Sequence, residues 1–217
     1  MADLAPALPA GGIRFNPAAY RRSPKTVHFP GMGREASDEE LMLRYADGDA
    51  GAFDALFQRH RGPLYRFLLR QAGDAAAAEE LFQDVWMRVV NSRGRYEVRA
   101  KFTSWVYAIA HNRLMDFYRA NGRATFLSHE ESEAAIENTP ADEIAADLRL
   151  DRKRAGERLI AALAGLPAAQ REAFLLQQEG EMSLEEIAAA TGVNRETVKS
   201  RLRYAFAKLR ASLGNVS

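Results

Sequence analysis

The sequence contains no cysteine. That absence excludes disulfides, thiolate metal sites and cysteine nucleophiles together, and it accords with a reducing compartment. No apolar run nears the roughly 20 residues of a membrane span. No compact apolar stretch follows a basic start at the N-terminus, so no secretory signal is expected. Period-two alternation is missing, which argues against strands. His28, His60, His111 and His129 are scattered along the chain, and HExxH, P-loop and GxSxG motifs are absent. The carboxylates lie on amphipathic patterns, where solubility explains them. The expectation is a soluble cytoplasmic protein that is not an enzyme. No catalytic residue, metal, cofactor, small-molecule substrate or direct membrane insertion is expected.

Net charge is also small, +1 over 217 residues. The distribution is not. Arg88 to Arg123 holds eight Lys/Arg against two acids, and Arg195 to Arg210 holds six against one. Glu130 to Asp151 reverses this, with eight acids and one Arg. Two basic blocks flank an acidic one, a pattern that points to nucleic acid despite the near-zero sum.

What is present is helical periodicity. Residues 1–36 hold five prolines and four glycines without a sustained period, and read as a flexible extension. Ser37 and Glu40 have capping-box spacing before the first helix. Phe53, Leu56, Phe57, Leu64, Phe67 and Leu68 fall on one helical face, with a kink expected at Gly62-Pro63. In "AAAAEELFQDVWMRVVNS" Leu81, Val85, Trp86 and Val89 point inward. A loop over 92–103 precedes a fourth helix, "SWVYAIAHNRLMDFYRA". The pattern decays over 123–142, where an acidic linker and a domain boundary are expected. Helical segments follow at about 143–164, 168–179, 183–190 and 195–213. The fold class expected is all-α: two small helical domains, 37–122 and 143–217, joined by a flexible tether.

The strongest motif is "SLEEIAAATGVNRETVKSRLRYAFAKLR". Ser183 and Glu186 form a second capping box. Ile187 and Ala188 face inward, and Gly192 supplies the permissive backbone of a tight turn. Asn194 caps a helix whose Val198, Leu202, Phe206 and Leu209 make a buried stripe. This is a helix-turn-helix pattern. Arg195, Thr197, Lys199, Ser200, Arg201, Arg203 and Tyr204 are left on the outer face. Lys and Arg there can reach guanine edges or phosphates in a major groove. The alternative is a solvated charged face.

"AFDALFQRHRGPLYRFLLRQAGDAAAAEELFQDVWMRVV" with "FTSWVYAIAHNRLMDFYR" resembles the N-terminal domain of bacterial RNA polymerase sigma factors of the extracytoplasmic-function (ECF) type. "LPAAQREAFLLQQEGEMSLEEIAAATGVNRETVKSRLRYAFAKL" resembles their promoter-reading C-terminal domain. The resemblance runs from about Ser37 to Leu213. It implies a protein that binds core RNA polymerase and promoter DNA, opens strands at initiation, and is commonly restrained by an anti-sigma factor. It implies that the third helix docks on the clamp coiled coil of the largest polymerase subunit, here through Glu79, Glu80, Leu81, Gln83, Asp84, Trp86 and Arg88. It implies −10 recognition and melting by Arg95, Arg99, Lys101, Phe102, Trp105, Tyr107, Asn112, Arg113 and Arg119. The spacing of Phe102 and Trp105 with Ile109 fits core positions as well. The helix-turn-helix would read the −35 element. The family often has arginine where this chain has Tyr204 and Phe206. Extended, residues 123–140 reach about 60 Å at ~3.3 Å each, enough for two sites about one and a half DNA turns apart.

Two other readings stay open on the residues alone. A stand-alone repressor or activator would bind duplex tightly without polymerase. A protein-interaction module would leave both basic blocks without a use.

Overall fold

The computed structural model describes residues 36–122 and 148–214, and only the helical backbone over 148–154. The expectations for the extension and the acidic linker lie outside the described residues. Among the described residues eight α-helices form in the order α1 (Asp38–Ala46), α2 (Ala50–Ala72), α3 (Ala75–Ser92), α4 (Phe102–Ala120), α5 (Leu148–Ala164), α6 (Ala168–Glu179), α7 (Leu184–Thr191) and α8 (Arg195–Gly214). A 3-10 turn at Arg93–Arg95 follows α3. No strand occurs among the described residues.

Local chemistry sets the ends. Ser37 Oγ accepts the Glu40 amide while the Glu40 carboxylate accepts the Ser37 amide at 2.7 Å, so two unpaired donors at the α1 N-terminus are satisfied. The Asp49 and Asp74 carboxylates cap α2 and α3 by accepting the Ala52 and Ala77 amides, without the reciprocal bond. Gly73 closes α2 at φ +75, a left-handed backbone that a side chain would resist. The proline inside α2 does not end it. Pro63 removes one helical hydrogen bond, but Leu64 and Tyr65 directly after it are buried. Burial of both arms of α2 against the same core outweighs the local cost, ~3 kcal/mol.

In the N-terminal half, Leu56, Leu64, Phe67 and Leu68 of α2 pack with Val85 and Val89 of α3 and Val106 and Leu114 of α4. Trp86 stands edge-on to Phe53 at 5.7 Å and Phe57 at 5.0 Å, aromatic contacts that add to area burial. In the C-terminal half, Leu175, Leu176, Ile187, Val198, Leu202 and Leu209 are buried. One expected core residue is not. Phe206 is 40% exposed, and Ala205 takes the buried position beside it. The smaller side chain lets α8 approach its neighbours, while Phe206 rests at the edge against Phe174, ring centroids 5.4 Å apart.

The halves pack on each other: α4 lies against α7, and α2 against α6.

Candidate nucleic-acid interface

The helix-turn-helix is built as its residues dictate. Ser183 and Glu186 make the reciprocal cap of α7. Gly192 turns the chain at φ +69, and Asn194 Oδ1 accepts the Thr197 amide at 2.7 Å to start α8. Val198, Leu202 and Leu209 go inward. Arg195, Lys199 and Arg203 are exposed, and Thr197, Ser200, Arg201 and Tyr204 half-buried. The basic residues have local partners. Arg195 Nε reaches Glu185 at 2.5 Å, a contact that holds the Glu185 carboxyl below its ordinary value. Lys199 Nζ lies 3.4 Å from Glu196. The Arg203 guanidinium sits 4.8 Å over the Tyr204 ring. These exposed contacts are weak, so a phosphate or base edge can displace them.

The loop before α4 has an anchor that sequence spacing does not reveal. Lys101 lacks a capping side chain, and the Phe102 amide donates instead to Glu39 Oε1 of α1 at 2.7 Å. A carboxylate at a helix N-terminus also meets the positive end of the helix dipole. Glu39 thereby ties the basic loop to the body of the domain. Arg95, Arg99, Asn112 and Arg119 are exposed, and Trp105 is half-buried. Arg99 pairs with Glu97 and Arg119 with Asp116. Tyr96, which the sequence did not single out, meets Trp105 edge-on at 5.0 Å. Burial, with some help from Glu39 and Asp38, pushes its hydroxyl up to about 12.

Two aromatics assigned to this face are inside. Phe102 is 0% and Tyr107 1% exposed. Phe102 packs 5.8 Å from Trp105 and 5.1 Å from the His60 ring. Tyr107 is edge-on to Phe67 at 5.2 Å. Neither can stack on a base in this arrangement. The reason is register: Phe102 and Val106 share a helical face, and Tyr107 is covered by the C-terminal half.

On α3, Glu80, Gln83 and Arg88 are exposed, and Glu79 and Asp84 half-buried, while Leu81 and Trp86 are buried. The strip they leave is therefore polar rather than apolar. Met87, 54% exposed, is its apolar element. Asp84 has a partner on the other basic element. Arg113 of α4 bonds Asp84 closely and Asp116 at 3.2 Å. With two carboxylates on its guanidinium, Arg113 acts as a strut between α3 and α4 rather than as an open phosphate ligand.

The histidine pattern was also incomplete. His111, one of the scattered histidines, lies 2.7 Å from Glu172 of α6. His60 holds Asp38 at 2.6 Å. Among the described residues no His/Asp/Glu group is arranged to hold a metal, and no helix is long and apolar enough to cross a membrane.

Comparison with known proteins agrees with this geometry. Sigma-70 region 2 matches residues 56–124, and the Sigma-70, region 4 model matches residues 156–209. The RNA polymerase sigma factor CarQ of Myxococcus xanthus is 33% identical over 175 residues, covering 81% of this chain and 97% of that protein. The chain belongs to the ECF sigma factors. An ECF sigma factor SigK of Mycobacterium sp. (strain KMS) is 31% identical, covering 82% of this chain and 92% of that protein. Among solved structures, the sigma factor RpoE of Bartonella quintana, in complex with the anti-sigma factor NepR, is 25% identical. It superposes with a TM-score of 0.56 over 76% of this chain and 98% of its own. CnrH in complex with the cytosolic domain of CnrY shares the fold, with 24% identity, a TM-score of 0.58 and 84% of this chain covered. As a sigma factor the protein directs core RNA polymerase to promoter DNA and is not itself an enzyme. Region 2 takes in most of α2 with α3 and α4; region 4 takes in most of α5, α6, α7 and most of α8.

Proposed function

We propose that this sigma factor divides its work between two helical domains, 37–122 and 143–217, joined by the segment 123–142. The C-terminal domain reads the −35 element as duplex with α8. Lys199, Ser200, Arg203 and Tyr204 meet bases, and Arg195, Thr197 and Arg201 meet the backbone. The observation that carries this is the helix-turn-helix itself: a turn at Gly192, a capped α8 and a basic outer face. A helix entering N-terminus first suits the major groove.

The N-terminal domain captures the −10 strand. Arg95, Arg99, Lys101 and Arg119 hold phosphates, Asn112 meets a captured base, and the Tyr96–Trp105 pair is the stacking platform in place of Phe102. Stacking returns ~1–3 kcal/mol per base, against a few kcal/mol for extruding it. Glu79, Glu80, Gln83, Asp84 and Arg88 dock on the clamp coiled coil of the polymerase's largest subunit, with Leu81 and Trp86 holding α3 from beneath. An anti-sigma protein restrains the factor, as the RpoE–NepR complex suggests by similarity, and the work is done in the cytoplasm, where core polymerase resides.

The test is transcription in vitro by core enzyme with and without this chain, followed by sequencing of the transcripts. Promoter-specific starts that require the chain are expected. Tight duplex binding by the chain alone, unaffected by core enzyme, would favour a stand-alone regulator instead.

A further inference from the structure

Among the described residues, Arg66, Arg70, Lys101 and His111 of the N-terminal half meet carboxylates of the C-terminal half, so in these pairs the basic group comes from the first half and the acid from the second. Arg66 grips Glu179 with Nε at 3.1 and 3.0 Å from the two carboxylate oxygens and Nη2 at 2.7 Å. Arg70, one turn further along α2, bonds the same carboxylate. Lys101 meets Glu186 at 3.0 Å, and His111 meets Glu172 at 2.7 Å.

This is the polarity a nucleic-acid-binding face has toward a polyanion. The carboxylates of α6 and α7 occupy cations where phosphates would otherwise be drawn. The Glu179 side chain is 12% exposed, whereas Arg66 is 49% exposed. Water and salt thus reach the cluster from the α2 side.

What the seam covers matters for function. Tyr107 lies beneath Gly180, where a side chain would meet its ring at 3.1 Å and the Leu176 carbonyl at 2.7 Å. The Tyr107 hydroxyl is buried without a hydrogen-bond partner, a cost that opening relieves. Helix α7 lies against α4, although the first helix of a helix-turn-helix must cross the duplex backbone.

We propose that this seam is an electrostatic latch, centred on Glu179 between Arg66 and Arg70, that keeps the sigma factor shut until core polymerase or promoter DNA takes its place. The proposal rests on the promoter-reading assignment above. A closed fraction of about 90% weakens apparent DNA affinity about tenfold, because only the open fraction binds. Freeing Lys101 and α7 together would couple −10 and −35 recognition.

The chain has no cysteine, so single cysteines at exposed Asn91 and Ser212 can carry a donor and an acceptor dye on the full-length protein. The native latch is expected to give a high-transfer population that declines as salt rises from about 0.05 to about 0.5 M, as screening shortens the Debye length from above 10 Å to a few Å. E179R, and separately R66E/R70E, should lower that population. The triple variant R66E/R70E/E179R should restore it, which a mere folding defect would not. Circular dichroism confirms that each variant is helical. E179R should also bind, without core enzyme, about tenfold tighter to a promoter duplex recovered from transcripts of the native holoenzyme. Unchanged transfer in folded E179R and R66E/R70E, or opening with no gain in duplex binding, overturns the latch. Transcription by the native chain with core enzyme tests the promoter-reading assignment separately, so failure of one is not failure of the other.

Discussion

His111 Nδ1 stands 2.7 Å from Glu172 Oε1, with only 13% and 8% of the two side chains exposed. Burial alone would push the imidazole below its ordinary value. The Glu172 hydrogen bond and charge outweigh burial and the opposing Arg201, so the pKa is raised. A raised histidine contributes stability fully below the unfolded value, near 6.5, and loses it as pH climbs through the folded value. The contact between α4 and α6 should therefore weaken as pH rises above about 6.5. Thermal melts of the native chain and of His111→Gln across that range check this. The native profile should slope downward with pH, and the variant's should be flatter.

Asp84 and Arg113 join α3, the helix proposed to dock on core polymerase, to α4, the helix proposed to read the −10 strand. Asp84→Ala should weaken core-polymerase binding, and Arg113→Ala should change both core affinity and the position of α4. A double-mutant cycle for core binding should give a coupling energy in the range of about 0.5–3 kcal/mol, as for contacting residues. Additive losses would mean that the strut carries no coupling.

Lys199→Ala and Arg203→Ala should each cost about 1–3 kcal/mol of discrimination at one base position if they contact base edges. Arg195→Ala should weaken binding to all sequences alike and lower the salt slope of promoter binding by ~0.9. Holoenzyme titrations on native and base-substituted promoters separate the two behaviours.

Phe102 and Trp105 should part company. Phe102→Ala is expected to cost about 3–5 kcal/mol of stability, since its ring is fully buried and its removal leaves a cavity. Trp105→Ala, half-buried, should destabilise less and lose ~1–3 kcal/mol of single-strand affinity. Urea unfolding and binding of a −10 oligonucleotide by the holoenzyme give the two quantities.

Asn194→Ala removes the acceptor for the Thr197 amide and should cost about 1 kcal/mol. Gly192→Val forces a branched side chain to φ +69 and should cost at least about 1–2 kcal/mol. Both should lower the melting temperature and loosen −35 binding, because α8 is then less firmly aimed.

Much of the architecture could be read from the residues in order, because its determinants are local. Ser37 with Glu40 and Ser183 with Glu186 mark helix starts three residues apart, within reach of one backbone turn. Gly73 and Gly192 mark ends where the backbone turns left-handed. Leu81, Val85 and Val89 face inward because 3.6-residue periodicity sets which side of a helix is apolar. The family motifs imply the order of tasks along the chain.

Other assignments depended on partners 29 to 113 positions away. Nothing near Phe102 reveals that Glu39 caps its helix, and nothing near Arg66 indicates that Glu179 will hold it. Tyr107 has the composition of a stacking residue and the burial of a core residue. Its helical face was legible, but which surface would cover that face was not. Helix positions and caps follow from contacts a few residues apart. The Tyr107 seat, the Arg113 strut and the charged seam arise only when distant helices meet, where packing and desolvation choose among partners that are all chemically acceptable.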